Sequence, residues 1–316
     1  MTSLLVDLLL TIVGLAVLVR AADVFVDGAA GLSRRFGVSP VVVGAVVIGL
    51  GTSLPELLVS VLAAADGDAS LGVGNIVGSN IANLSLVLAV AALVAPMAIQ
   101  SSIVRREAPL SFLAVSAFAL ALQGGGLQRW EGVLLLVGLV VVLLVTLRSA
   151  GSSGNEQLVE EVEEVLDTGS TRRLVVLTVV GLLGTALGAQ LLVDGAIGVA
   201  TEAGLSEGFV GLTLVAVGTS LPELVTAVQA ARRGEDELIV GNVLGSNVFN
   251  SLLVGGAVAL VGPGPIDDAR LVTYGAATMV AVAALGWLVM GRDGRIARGE
   301  AAVLLSGYVI AVVLTA

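Results

Sequence analysis

The stretch GTSLPELLVS, Gly51 to Ser60, puts the Glu56 carboxylate, the hydroxyls of Thr52 and Ser53 and a proline inside a segment apolar enough to span a bilayer. It occurs twice. GTSLPELVTA, Gly218 to Ala227, repeats seven residues without change at an offset of 218 − 51 = 167. The same offset carries Val26-Asp27-Gly28-Ala29 onto Val193-Asp194-Gly195-Ala196. It also carries Gly74-Asn75, Gly78-Ser79-Asn80 and Asn83 onto Gly241-Asn242, Gly245-Ser246-Asn247 and Asn250. One unit of about half the chain has been duplicated, and each copy brings the same polar cluster into an apolar setting.

Composition sets the class. Of 316 residues 57% are hydrophobic and only 13% charged, and the mean hydropathy is +1.05. A water-facing globule needs far more charge, so the expected class is an all-α polytopic membrane protein in contact with the lipid bilayer. Without Cys or His there is no thiolate or imidazole chemistry, whether catalytic or metal-ligating. A net charge of −10 argues against nucleic acid as a partner, and no obligatory protein partner is evident. Met1 to Val19 has no basic leader and reads as the first apolar span.

Apolar runs separated by Gly, Pro, Asp and Arg clusters predict ten spans, near 3–30, 38–65, 70–96, 103–123, 127–147, 173–200, 206–231, 237–262, 268–290 and 297–315. They divide the chain into a first five-helix repeat, 1–148, an acidic linker, 149–172, and a second five-helix repeat, 173–316. The linker reads as Gly/Ser-rich chain leading into an acidic amphipathic turn with Leu158, Val162 and Val165 on one face. Five spans per repeat is odd, so the second copy should enter the membrane from the opposite side and the halves should be inverted repeats. Loops after odd-numbered spans hold twelve arginines and loops after even-numbered spans only Arg129 and Arg270. That bias predicts extracellular termini and a cytoplasmic linker.

Pro55 and Pro222 cannot donate a backbone hydrogen bond, and Gly49, Gly51 and Gly218 loosen the same turns. Carbonyls freed within a membrane span are tolerated only where they line protein or a watery cavity, and there they can ligate cations. Helical spacing sets Thr52 and Ser53 beside Glu56, and Thr219 and Ser220 beside Glu223. It also aligns Ser79 with Asn83 and Ser246 with Asn250. These clusters offer only oxygen from carboxylates, hydroxyls, amides and carbonyls, which suits a hard cation such as Ca²⁺ or Na⁺. Two midspan carboxylates bring a charge of −2 into a low-dielectric region, and one Ca²⁺ cancels it.

Plainer readings compete with this one. A Gly-Thr-Ser-Leu-Pro turn can be a simple kink, and Asn and Ser stripes can be interhelical glue. A midspan Glu at equivalent positions of two repeats is harder to explain structurally, because ionisable groups there are functional by default. Asp27 and Asp194 lie toward span ends, where a helix-end or snorkelling role suffices. Gly74, Gly78, Gly241 and Gly245 are expected to let helices approach closely.

The doubled GTSLPE…GN…GSN pattern, spanning Gly44 to Asn83 and Gly211 to Asn250, resembles the alpha-repeats of the cation/calcium exchanger superfamily, specifically a prokaryotic sodium/calcium exchanger. The resemblance implies ten helices as inverted repeats, with spans two, three, seven and eight as a core across which spans one and six slide. It implies an electrogenic, K⁺-independent antiporter of the plasma membrane, not an enzyme, moving about three Na⁺ inward per Ca²⁺ outward, with no cofactor beyond the transported ions. Its ion ligands would fall on Thr52, Ser53, Glu56, Ser79, Asn83 and the Gly49 carbonyl, and on Thr219, Ser220, Glu223, Ser246 and the Ala216 carbonyl. Asn250 stands where the potassium-dependent branch has Asp, which is the reason for expecting K⁺ independence. The alternative is a proton-coupled antiporter of Ca²⁺ or another divalent cation on the same fold.

Overall fold

Apolar stretches too long for a soluble core form the body of this chain, and short Gly, Pro and Asp clusters cut them into helices. The computed structural model describes residues 2–150, 171–202 and 216–315. Helix α1, Thr2–Phe36, has 35 residues and is about 52 Å long at 1.5 Å per residue, longer than the ~30 Å hydrocarbon layer and therefore suited to tilt. Helices α2, Pro40–Thr52, and α3, Leu54–Ala65, meet at Ser53 with a bend of 42°. Then come α4, Ala69–Val94, and α5, Ser101–Gly124, followed by α6, Arg129–Ala150, and α7, Thr171–Glu202. Helix α8, Ala216–Thr219, leads into α9, Leu221–Arg232. The chain finishes with α10, Asp236–Val261, α11, Leu271–Asp293, and α12, Arg298–Thr315.

Among the described residues seven helices are long and apolar enough to cross a membrane, and the bent α2–α3 pair meets the same test when taken together. The chain is a multi-pass membrane protein. Helix positions agree with the expected spans to within a few residues, apart from the ends of α1, which runs to Phe36. The start of the seventh expected span, 203–215, lies outside the described residues. So does most of the expected linker, 151–170, including Leu158, Val162 and Val165.

Burial separates centre from rim. In α4 and α10 respectively 78% and 83% of the apolar window is enclosed, against 11% in α1 and 22% in α6. The Asn and Ser stripes of the two repeats therefore sit on the two most enclosed of the seven long helices. Close approach of backbones explains how: a Cβ on Gly44 would meet the Leu238 carbonyl at 2.6 Å, and one on Gly49 would meet the Ser246 nitrogen at 2.9 Å. Gly241 and Gly245 receive Val41 and Ala45 from the same side, as expected. Gly74 meets only the Leu271 side chain, at 3.7 Å, and Gly78 nothing within 4 Å among the described residues. The segment equivalent to Val41–Ala45 in the second repeat falls within 203–215.

Helices α1 and α7 lie along each other. Gly14, Gly28, Gly181 and Gly195, related in pairs by the 167-residue offset, admit respectively Leu192, Thr178, Phe25 and Thr11 of the facing helix. Two small ribbons complete the frame: β1, Met97–Ala98, pairs antiparallel with β4, Arg295–Ile296, and β2, Gly126–Leu127, with β3, Gly264–Pro265.

Candidate ion-binding site

The proline turn acts as expected in breaking a helix, and the break decides where each side chain points. Ser53 leaves helical geometry at φ −84°, ψ 4°, and Ser220 does so at φ −89°, ψ 3°. Pro55 and Pro222 then sit in the first turns of α3 and α9, where a missing N–H costs nothing. Glu56 and Glu223 consequently occupy the first turns of new helices, which point their N–H dipoles at the carboxylate-bearing region.

Both carboxylates are enclosed, with Glu56 1% and Glu223 0% exposed. None of their four oxygens has a hydrogen-bond partner among the described residues. At longer range the Ser79 hydroxyl faces Glu56, the Thr52 hydroxyl faces Glu223, and the two carboxylates feel each other's charge. Ser53 Oγ, Ser220 Oγ, Asn83 Oδ1 and Asn250 Oδ1 are also buried and without a partner among the described residues. So concentrated a set of unsatisfied oxygens is costly in an apolar interior unless a cation supplies what no protein donor does. The donor set is all oxygen, which fits a hard cation, and its charge comes from two carboxylates, since no group of three or more Asp, Glu, His or Cys side chains placed to hold a metal ion occurs among the described residues.

Thr52 contacts both its own helix and the second repeat. Its hydroxyl lies 3.1 Å from the Ile48 carbonyl, 3.2 Å from Asn242 Oδ1 and 3.4 Å from Ser246 Oγ. Thr219 makes the equivalent contact, donating to Asn75 Oδ1 at 3.3 Å. The Gly49 carbonyl accepts from the Ser53 N–H at 3.2 Å and from Ser246 Oγ at 3.4 Å. Ala216 opens α8. The structure thus brings Thr52, Glu56, Ser79, Gly49, Ser246 and Glu223 to one neighbourhood drawn from both repeats.

Residues outside the expected ligand set hold these groups in place. Asn75 donates to Ser60 Oγ at 3.0 Å and to the Glu56 carbonyl at 3.4 Å while accepting from Thr219. Asn83 Nδ2 donates to Asn247 Oδ1 at 3.0 Å, and Asn247 Nδ2 donates to the Asn80 carbonyl at 3.2 Å. Asn80 Nδ2 reaches Ser251 Oγ at 3.0 Å. The signal for Asn75 and Asn242 was in the repeat: Asn75, Ser79 and Asn83 are spaced by four, as are Asn242, Ser246 and Asn250. Each stripe runs into a wide turn, Asn83–Val87 and Phe249–Val254, at matching points of α4 and α10. Such π-type turns occur often at functional sites.

Asp27 and Asp194 stand apart from this cluster. Asp27 pairs with Arg233, and Asp194 accepts from Gln190 Nε2 at 2.8 Å. Arg20 lies 4.0 Å from Asp23, which has a closer partner in Arg233 at 2.6 Å.

Comparison with known proteins agrees with this geometry. The family model described as sodium/calcium exchanger protein matches residues 6–148 and 173–316. The inner membrane protein YrbG of Escherichia coli K12 is 37% identical over 95% of this chain and 94% of its own length. The sodium/calcium exchanger MaX1 of Methanosarcina acetivorans is 30% identical over 96% of this chain and 97% of its own. A solved structure of the sodium-calcium exchanger NCX_Mj, soaked with Na⁺ and Sr²⁺, superposes with a TM-score of 0.86 at 30% identity, covering 98% of this chain and 99% of that one. With both repeats matched and the oxygen-lined cluster at the centre of the fold, the chain belongs to the sodium/calcium exchanger family of cation antiporters.

Proposed function

We propose that this protein is a Na⁺-driven Ca²⁺ antiporter that carries Ca²⁺ out of the cytoplasm by alternating access. The observation that carries the reading is the pair Glu56 and Glu223, equivalent in the repeat, both fully enclosed and both without a hydrogen-bond partner among the described residues. Two such charges are stable in this setting only with bound cations or protons. Ca²⁺ cancels them, and Na⁺ ions spread over the same oxygens do likewise, so the two substrates exclude each other. Occupancy by one or the other is the condition for exchange. About three Na⁺ per Ca²⁺, as in the family, makes each cycle electrogenic.

The ligands would be Glu56, Thr52, Ser53, Ser79, Asn83 and the Gly49 carbonyl from the first repeat, with Glu223, Thr219, Ser220, Ser246, Asn250 and the Ala216 carbonyl from the second. Thr52 and Thr219 serve across the repeat boundary. With Asn250 neutral, the centre holds two carboxylates and requires no K⁺.

Ten membrane crossings in two inverted repeats are supported by the ribbons. β1 follows the third crossing of the first repeat and β4 the fourth of the second, yet they pair. β2 follows the fourth of the first repeat and β3 the third of the second, and they pair too. Repeats of the same orientation would hold each pair on opposite membrane faces. Arginine placement supports extracellular termini in the plasma membrane. The α1–α7 pair, packed helix on helix by glycines, is the unit that slides over the core.

The test is ⁴⁵Ca²⁺ uptake into proteoliposomes loaded with Na⁺ and diluted into choline or into equal Na⁺, with pH clamped. Uptake only under the Na⁺ gradient is expected. Uptake indifferent to Na⁺ but driven by a pH step would replace this reading with the proton-coupled one.

A further inference from the structure

The ion site follows the two-fold repeat, but the charged contacts around it do not. Arg233, which follows α9, reaches Asp23 at 2.6 Å and also pairs with Asp27, both on α1. Arg34, near the end of α1, reaches Glu235 at 3.0 Å in the turn before α10. Gln229 Nε2 donates to the Val19 carbonyl at 3.4 Å, extending the same seam. Arg233 and Asp23 are 30% and 31% exposed, so water and salt screen them less than a fully exposed pair. These contacts fasten the α1–α7 unit to the helix that carries Glu223.

The repeat offset places the counterpart of this seam at Gln190, Asp194 and Thr201 on α7, and at Asp66 and Asp68 after α3. No cation stands at any of the five positions. Asp194 is satisfied within its own helix by Gln190, and Asp68 caps the Leu71 N–H at 2.9 Å. Asp66 and Asp194 are both acidic, so approach of these two ends is disfavoured where approach of the first two is favoured.

We infer that Arg233 is a one-sided clamp that sets the resting side of the transport cycle. This rests on the alternating-access reading above. In the arrangement described here the clamp is closed. Reaching the opposite arrangement breaks the Arg233 pairs with Asp23 and Asp27 and, by the repeat offset, brings the acid Asp66 rather than a cation toward Asp194. The protein therefore favours the arrangement in which the α1 end touches the α9–α10 turn, although its ion ligands are nearly symmetric.

The absence of cysteine makes the test direct. Spin labels are placed at Phe36→Cys and Arg232→Cys in the full chain in proteoliposomes, and the distance distribution is measured by pulsed electron resonance. Arg233→Gln should raise the longer-distance population by roughly fivefold, the size expected from losing a partly screened ion-pair network. Asp66→Arg, which supplies the missing partner for Asp194 on the other face, should shift the population in the same direction without touching the clamp. Arg233→Lys should restore most of the short-distance population. Distributions unchanged by both Arg233→Gln and Asp66→Arg would overturn the inference. Should Arg233→Gln fail to fold, the surface variant Asp66→Arg alone decides. Loss of Na⁺ dependence in the labelled parent would count against the antiport reading and leave the distance result to judge the clamp separately.

Discussion

Thr52 donates its hydroxyl toward the amide oxygen of Asn242 at 3.2 Å, and the repeat-related Thr219 donates to Asn75 at 3.3 Å. Each repeat thus holds a hydroxyl of the other that is proposed as an ion ligand. The two pairs tie the broken spans to α4 and α10 across the repeat boundary.

Neutralising either buried carboxylate removes half of the negative charge proposed to hold Ca²⁺. Glu56→Gln and Glu223→Gln should each reduce Na⁺-dependent ⁴⁵Ca²⁺ uptake to the level of empty liposomes. Both variants should still insert and elute as wild type, because Gln is isosteric and neutral. Retained exchange in both would remove these residues from the site.

Asn75 and Asn242 are equivalent in sequence but not in their contacts. Asn75 bridges Ser60, the Glu56 carbonyl and Thr219, whereas Asn242 Nδ2 has no partner among the described residues, because Ala227 stands where Ser60 does in the first repeat. Asn75→Ala should therefore cost about 1–3 kcal/mol of stability and Asn242→Ala distinctly less, measured by thermal unfolding in detergent. Both should weaken apparent Na⁺ or Ca²⁺ affinity, by about 10-fold or more, since each orients a neighbouring ligand.

Asn250→Asp would place a third carboxylate at the centre. Ca²⁺ then leaves a net charge of −1, which calls for a further monovalent cation. Uptake by this variant should become dependent on external K⁺ or on pH, while the parent responds to neither. Flux compared with and without K⁺ at two pH values checks it, and a variant indistinguishable from the parent would show that Asn250 lies outside the charge balance.

Backbone contact between α2 and α10 leaves no space for a side chain at Gly245, where an added Cβ would lie 2.8 Å from the Ala45 carbonyl carbon. Gly245→Ala should lower the thermal midpoint by several degrees, reflecting on the order of 1–3 kcal/mol of overpacking. Gly299→Ala, where nothing lies within 4 Å among the described residues, serves as the control and should be neutral or slightly stabilising.

By itself the sequence determined the class, the duplication and the chemistry offered. Composition required a membrane protein, the 167-residue offset located both polar clusters, and proline with glycine marked the breaks. These are properties of local chain order: apolar run length, helical spacing and the missing N–H of Pro55 and Pro222 are present before any helix meets another. Tertiary structure decided which groups meet. Spacing of four relates Thr52 to Glu56 but gives no sign of Asn242, whose amide oxygen the fold brings within 3.2 Å of the Thr52 hydroxyl. Nothing in the spacing pairs Arg233 with Asp23 and Asp27, 210 and 206 residues away (233 − 23 and 233 − 27). An offset names equivalent residues, not partners, and partners are chosen by how glycine-lined helices cross and by which ends of α1 and α9 that crossing brings together.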